Sequence, residues 1–349
     1  MNRGSSGSVS IEIQTLRVSK TLRVWIKGGV MKTPFIASTM HRRLNFFRRL
    51  SFEEAIWGWG LIIPTVLGLI LFKFGPVIAS LYFSFTKYDI LSPPKWIGIT
   101  NYQSLVADNF WIKSIQVTLK YSVLFIPLAL IIAYIIAMLM SQELRGISIY
   151  RTMWYLPSLV PTVASAVVWR WALNPEFGPI NYPFRLLGFD VPGWLTDPTW
   201  IIPSVVLIQL WGLGNSALIF LAAIKGVPDS FYEAAEVDGA TPWAKFWNIT
   251  LPMTSSVIFF QLIMTVIASF QVFSVAYILF GGETTSDPAG PGNSALFYVL
   301  YTYRNAFGYF KNGYASAMAW IVFVVIMLLT YLLFRSQKMW VYYEVEGGE

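Results

Sequence analysis

The sequence predicts an all-α membrane protein with six transmembrane helices, and three observations carry that expectation. Hydrophobic residues fill 56% of the 349 positions while charged residues fill only 12%, about half the charge of an ordinary soluble domain. The apolar residues are gathered into long runs instead of being spread at helical or strand spacing. Every Asp and Glu falls outside those runs.

A hydrocarbon core of about 30 Å, crossed at about 1.5 Å per residue, asks for roughly 20 mainly apolar residues. Six segments meet that length: Ile56–Phe85, Gln116–Met140, Ile149–Leu173, Trp200–Ala223, Met253–Phe280 and Tyr314–Phe334. Each is expected to be helical, because lipid offers the backbone no other hydrogen-bond partner. Pro64 and Pro76 in the first segment and Pro127 in the second are expected to kink or loosen their helices. Lys73 is the one charge well inside the first segment. An intramembrane charge is a functional candidate, but Gly75-Pro76 lies just beyond it, and snorkelling to the outer surface is the favoured reading.

Lys and Arg in the flanks set the orientation. With the N-terminus inside, the inner side holds Arg42, Arg43, Arg48, Arg49, Arg145, Arg151, Lys225, Lys245, Arg335 and Lys338. The outer side holds Lys87, Lys95, Lys113, Arg185, Arg304 and Lys311. Both termini inside is the better fit, with the leader supplying most of the bias. Trp169-Arg170-Trp171 at one helix end, and Trp194 and Trp200 around an outer loop, have the look of interfacial belts.

Composition also excludes chemistry. With no Cys, there are no disulfides, thiolate metal sites or thiol nucleophiles. His41 is the single His, so no His-based metal site or triad can be assembled, and no cofactor is expected. The net charge of +7 comes largely from the leader, where ten of the 25 basic residues precede residue 50; anionic lipid is a better partner for it than nucleic acid. Residues 1–50 are expected to be a basic, disordered cytoplasmic arm without a secretory signal. Residues 51–335 form the membrane domain and 336–349 a cytoplasmic tail. Met31 and Met40 stand as alternative starts.

Between the fourth and fifth segments, residues 226–252 read as two short helices with a break. Asp229 and Ser230 are placed to cap the first helix, with Glu233 near its positive end. Phe231, Ala234 and Ala235 give it a face that permits close approach. Gly239 suits the stop, where a left-handed residue is often needed. Thr241 then caps a second helix with Pro242 in its first position, and Phe246 and Ile249 supply its apolar face. By propensity alone this is an amphipathic hairpin of a kind common in polytopic proteins.

The spacing adds more. Glu233-Ala234-Ala235, Asp238-Gly239-Ala240, Phe246, Ile249 and Leu251-Pro252 resemble the EAA motif of the carbohydrate-uptake permeases of ATP-binding-cassette (ABC) importers. The resemblance runs over about residues 55–335. It takes in Ile63-Pro64, Ser80–Thr86, Gly98–Tyr102, Arg151–Pro157, Asn174-Pro175, Phe270–Phe273, Gly290-Pro291-Gly292 and Tyr314–Ala317. The chain departs from the enterobacterial maltose permease in lacking its large extra periplasmic domain, and it carries an insertion around Glu283–Ala289.

The resemblance implies a type I ABC importer permease fold whose Glu233–Gly239 helix engages a separate ATPase. It also implies two ATPase subunits, a second related permease, an extracytoplasmic solute-binding protein, and a sugar or glycerol-phosphate-like solute. No GxxxxGK[ST] phosphate loop occurs, so this chain is not itself an ATPase of that type. For a substrate path the fourth segment offers Gln209, Trp211, Gly212 and Asn215, with Trp211 and Asn215 on one face by i,i+4 spacing. The fifth offers Gln261, Gln271 and Tyr277. Amides and aromatic faces suit sugar hydroxyls and ring faces, and equally suit bonds between neighbouring helices. Gln271 and Asn215 fall where this family places sugar contacts. A secondary sugar transporter is the alternative, but the apolar segments lack the carboxylates it would usually need.

Overall fold

The computed structural model describes residues 52, 54–281 and 289–342. The expected leader, the end of the tail and nearly all of the expected insertion lie outside the described residues. Contacts divide the chain into two units, Met1–Lys73 and Phe74–Glu349. In the first, the large side chains from Ile56 to Phe72 are exposed around the whole helix, as suits a helix whose surroundings are apolar.

Helix α1 (Glu54–Ser84) is long and apolar enough to cross a membrane. Directly before Gly75-Pro76 the backbone widens into a π-type turn at Ile70–Phe74, where a proline withholds the N–H that an α-helix needs. Two short antiparallel strands follow, β1 (Thr86–Lys87) and β2 (Lys95–Trp96). Asn101 of α2 (Thr100–Val106) closes this turn by donating to the Ser84 and Thr86 carbonyls at 2.8 and 2.9 Å.

Helix α3 (Asn109–Ser141) is the spine of the second unit. Val117, Tyr121, Phe125, Ala129, Ala133 and Ala137 are all buried, and their four-residue steps draw one stripe along it. Its alanines let neighbouring helices approach closely.

The third expected span is not one helix. Ile149–Leu173 resolves into α4 (Ile147–Tyr155), a 3-10 turn at Leu156–Leu159 and α5 (Thr162–Ala172). Pro161 is the cause: it has no N–H to continue the ladder, and it forces Val160 into an extended conformation (φ −72°, ψ 127°). Hydropathy counts the apolar residues and is blind to that interruption.

After a short α6 (Tyr182–Leu186), the fourth span is α7 (Pro198–Leu210) and α8 (Gly214–Lys225), bent by 52° at the break between them. Next come α9 (Asp229–Val237) and α10 (Pro242–Lys245). The fifth span is α11 (Ser255–Phe270) and α12 (Ser274–Phe280), interrupted at Gln271–Phe273. Last are α13 (Tyr298–Tyr303) and α14 (Asn312–Ser336). Among the described residues, four helices are long and apolar enough to cross a membrane, and a fifth if the bent pair counts as one. The expectation was six, and the difference is the segment broken at Pro161. The first residues of the expected tail fold back: the Tyr342 N–H donates to Ser255 Oγ at 2.8 Å, and the Trp340 ring meets Phe259.

Candidate functional site

The 226–252 segment is built from local signals. Helix α9 starts after Pro228 in extended conformation with no side-chain cap. This corrects the expectation that Asp229 or Ser230 caps it: both lie inside the first turn, where Asp229 still meets the positive helix end. The helix stops at Gly239, whose φ is +74°. The Ala240 N–H donates to the Ala235 carbonyl at 2.8 Å and the Gly239 N–H to that of Glu236 at 3.0 Å, the paired bonds of a Schellman stop. Thr241 caps α10 through the Ala244 N–H at 3.3 Å, with Pro242 in the first turn.

Three contacts tie the two short helices to each other and to the bundle. Lys245 pairs with Glu236 at 2.6 Å. The Tyr232 hydroxyl meets Thr250 Oγ1 at 3.0 Å. Phe246 lies edge-on to Tyr134 of α3, whose own hydroxyl meets Thr254 Oγ1 at 2.8 Å. Leu251 is half-buried and Pro252 exposed in the turn leading to α11. A cavity of about 1140 Å³, walled partly by Tyr134, Phe220, Trp243 and Phe246, opens beside this anchor.

The opposite face is bare. Glu233, Ala234, Asp238 and Gly239 are exposed and Ala235 is half-buried, while Val237 is 89% exposed and Phe231 45%. Apolar side chains are thus presented on a connection between spans, flanked by acids.

The residues expected along a substrate path sit at the two interrupted spans. Gln209 is half-buried near the end of α7, with Trp211 and Gly212 in the break and Asn215 at the start of α8, all three exposed. Because Trp211 and Asn215 stand on either side of a 52° bend, the i,i+4 argument that put them on one helical face does not apply. The bend is enforced by packing: a Cβ on Gly214 would stand 2.6 Å from the Trp154 carbonyl oxygen and 2.9 Å from Tyr155 Cα. Trp211 instead meets Trp169 edge-on at 5.9 Å and walls a groove of about 330 Å³ with Tyr150, Met153, Trp154 and Pro157.

Gln271 is exposed in the second break, and Tyr277 of α12 is exposed as well. Tyr277 stacks on Phe273 at 5.4 Å and meets Tyr303 at the same separation. Gln261 has the other role: it is buried, and its Nε2 donates to the Ser216 carbonyl at 3.4 Å, joining α11 to α8. The end of one helix, α5, touches both interrupted spans. Trp169 touches the first break, and the Arg170 guanidinium reaches the Ile278 carbonyl of α12 at 3.5 Å.

One cluster went unread in the sequence. Asp108 caps α3 through the Phe110 N–H at 2.9 Å, while its other oxygen accepts from the Tyr301 and Tyr314 hydroxyls at 2.6 and 2.5 Å. Burial works against its charge, but the Tyr301 and Tyr314 bonds and the Phe110 and Trp111 amides outweigh it and hold the carboxyl below the usual carboxylate range. Burial first, and then the Asp108 bond, push the Tyr301 hydroxyl up. A single acid before an apolar run signals a cap; its two tyrosine partners, 193 and 206 residues on, leave no local trace.

Comparison with known proteins decides the family. The family model described as "Binding-protein-dependent transport system inner membrane component" matches residues 125–340. The chain belongs to that family. It is 40% identical over 296 residues, 84% of this chain and 94% of the relative, to the probable ABC transporter permease protein YesP of Bacillus subtilis (strain 168). It is 29% identical over 291 residues, 82% of this chain and 95% of the relative, to the trehalose/maltose transport system permease protein MalF of Thermococcus litoralis. Its fold is similar to a chain of a bacterial ABC transporter that imports the acidic polysaccharide alginate, with a TM-score of 0.73 at 23% identity, covering 84% of this chain and 98% of that one.

Proposed function

We propose that this chain is the permease subunit of an ABC importer that carries a sugar across the plasma membrane, with residues 226–252 as its docking element for a separate ATPase. The observation that carries the reading is the bare face of α9. Glu233, Ala234, Val237, Asp238 and Gly239 are presented outward at the tip of a segment whose other face is anchored to α3. A helix-in-groove contact fits that face, and Glu233 suits a basic residue of the ATPase. Phe246, Leu251 and Pro252 link α10 to α11, so a tilt imposed on the helix pair would pass to the bundle as a rigid-body change between inward and outward opening.

The reading includes six crossings with both termini on the cytoplasmic side, the broken α4–α5 pair supplying the third. It includes a second permease subunit, two ATPase subunits and an extracytoplasmic solute-binding protein. Relatives named for trehalose/maltose, lactose and starch degradation products support a saccharide as solute. Asn215, Gln271, Trp211 and Tyr277 then line its path beside Gln209 and Gly212, with amides for hydroxyls and rings for sugar faces.

The test is Gly239→Arg in the assembled transporter. The left-handed residue is lost and a bulky cation stands on the docking face. Membrane insertion stays intact, while ATP-dependent uptake and substrate-stimulated hydrolysis both collapse. Normal stimulated hydrolysis in that variant removes the docking assignment. Unchanged uptake kinetics in both Asn215→Ala and Gln271→Ala would place the path elsewhere.

A further inference from the structure

We infer that Ser255 and Trp340 are positioning residues through which the end of the chain straps the last span, α14, to the exit of the docking segment, so that α11 and α14 move as one arm; this rests on the docking reading above. The need for a strap follows from the joint between residues 226–252 and α11. The backbone there passes through a π-type turn (Phe246–Thr250) and a short turn (Leu251–Met253). Thr254 then leaves helical geometry at φ −92°, ψ 0° before α11 begins at Ser255. An interrupted hydrogen-bond ladder is where a helical connection bends. A tilt applied on one side of this joint is therefore not carried across by the backbone alone.

Two consecutive hydroxyls grip the joint, each for a different helix. Thr254 and Ser255 are both buried. Thr254 Oγ1 meets the Tyr134 hydroxyl of α3 at 2.8 Å. Ser255 Oγ donates to the Pro252 carbonyl at 2.6 Å and accepts from the Tyr342 N–H at 2.8 Å. One hydroxyl thus joins the last residue of the docking segment to the end of the chain. The chain reaches it by reversing after α14 in a 3-10 turn at Gln337–Met339. The Trp340 and Val341 N–H groups close that turn on the Gln337 carbonyl at 3.2 and 2.9 Å. The reversal sets the Trp340 ring edge-on to Phe259 of α11 at 5.7 Å, and Phe259 meets Phe334 of α14 at 5.4 Å. Phe259, only 4% exposed, is held by α14 and by the strap together. An interfacial belt also supplies a tryptophan at a span end, which explains the exposed part of the Trp340 ring. It does not explain a strap whose backbone bonds the first residue of α11.

The experiment uses the complete transporter in nanodiscs and needs no solute. Hydrogen exchange reads the Tyr342 amide in the resting complex and with vanadate trapped on the ATPases. Wild type protects that amide in both states. Ser255→Ala speeds its exchange about fivefold, and Ser255→Thr, which keeps the hydroxyl, does not. The chain has no cysteine, so with cysteines removed from the partner subunits a bimane label on Lys311→Cys, directly before α14 at its far end, reports that span alone. Trapping shifts the label's emission. Ser255→Ala and Trp340→Ala trap vanadate to the same extent but lose most of the shift, and Trp340→Phe, which keeps a ring on Phe259, restores it. A full shift in both variants overturns the inference, as does deprotection of the Tyr342 amide on trapping or the absence of a shift in wild type. Loss of the shift in Trp340→Phe and Ser255→Thr as well, with a lowered melting temperature, marks the strap as packing alone and overturns it too. Gly239→Arg, run alongside, separates the two readings. If it keeps the full shift, residues 226–252 are not the docking element; a shift lost there but kept in the strap variants removes the strap alone.

Discussion

The 226–252 segment and the break at Trp211–Leu213 are both interruptions between helices, yet they are held by opposite means. The first is written into its own residues: Gly239 stops α9, Thr241 and Pro242 start α10, and each bond spans only a few positions. The second has no proline and no side-chain cap, and its two glycines loosen the helix without fixing an angle. It is bent because Gly214 lies against the backbone of Trp154 and Tyr155 and because Trp169 meets Trp211. A docking element must keep its shape while its partner moves, and local bonds serve that. A break inside a span leaves backbone groups unserved by the helix, and these are tolerated only where protein or a polar cavity supplies the partners.

That contrast ranks the mutations. Gly214→Leu gives the largest effect, because its Cβ would meet a carbonyl oxygen and an α-carbon that cannot rotate away. The expected loss is about 3 kcal/mol, read as a lowered melting temperature in detergent or nanodiscs. Gly212→Ala, two residues earlier, meets only the Gln209 oxygen at 3.7 Å and should stay within about 0.5 kcal/mol. Equal effects at both positions would show that the bend is intrinsic to the chain and not imposed by α4.

Asp108→Asn comes next. The cap on α3 survives in part, but two tyrosine hydroxyls lose a charged acceptor, at about 1–2 kcal/mol. The same cluster sets a pH dependence. The folded carboxyl is held below its ordinary value, so its stabilising contribution is complete above the unfolded value of about 3.9 and fades as pH falls through the folded one. Wild type should therefore lose stability below about pH 4 more steeply than Asp108→Asn, and parallel acid melting curves would remove the argument.

The same distinction explains what the sequence disclosed. The Gly239 stop and the Thr241 cap follow from residues within a turn or two of one another, and they were legible. The Pro161 interruption was legible in principle, since a proline restricts both itself and Val160, but a hydropathy sum does not weigh it. Gln261 and Gln271 look alike in sequence. Only packing separates them, one joined to the Ser216 carbonyl and the other exposed at a break. The Asp108 cluster, the Trp169–Trp211 contact and the placement of Arg170 beside Ile278 each join residues dozens to hundreds of positions apart, and no local pattern encodes them.

Within the local segment the expected effects are smaller. Thr241→Ala removes the α10 cap, a single bond of 3.3 Å on an exposed turn, and should cost about 1 kcal/mol. Amide exchange at Ala244 is the direct reading, rising in the variant while exchange in α3 stays constant. Smallest of all is the Lys245–Glu236 pair. The distance is short at 2.6 Å, but the Glu236 side chain is 67% exposed, so water and salt screen most of the attraction. Glu236→Gln should change stability by less than about 0.5 kcal/mol, and added salt should erase the difference. If the variant loses stability comparable to Gly214→Leu, the shape of the segment rests on this one pair and not on the Gly239 stop and the Thr241 cap.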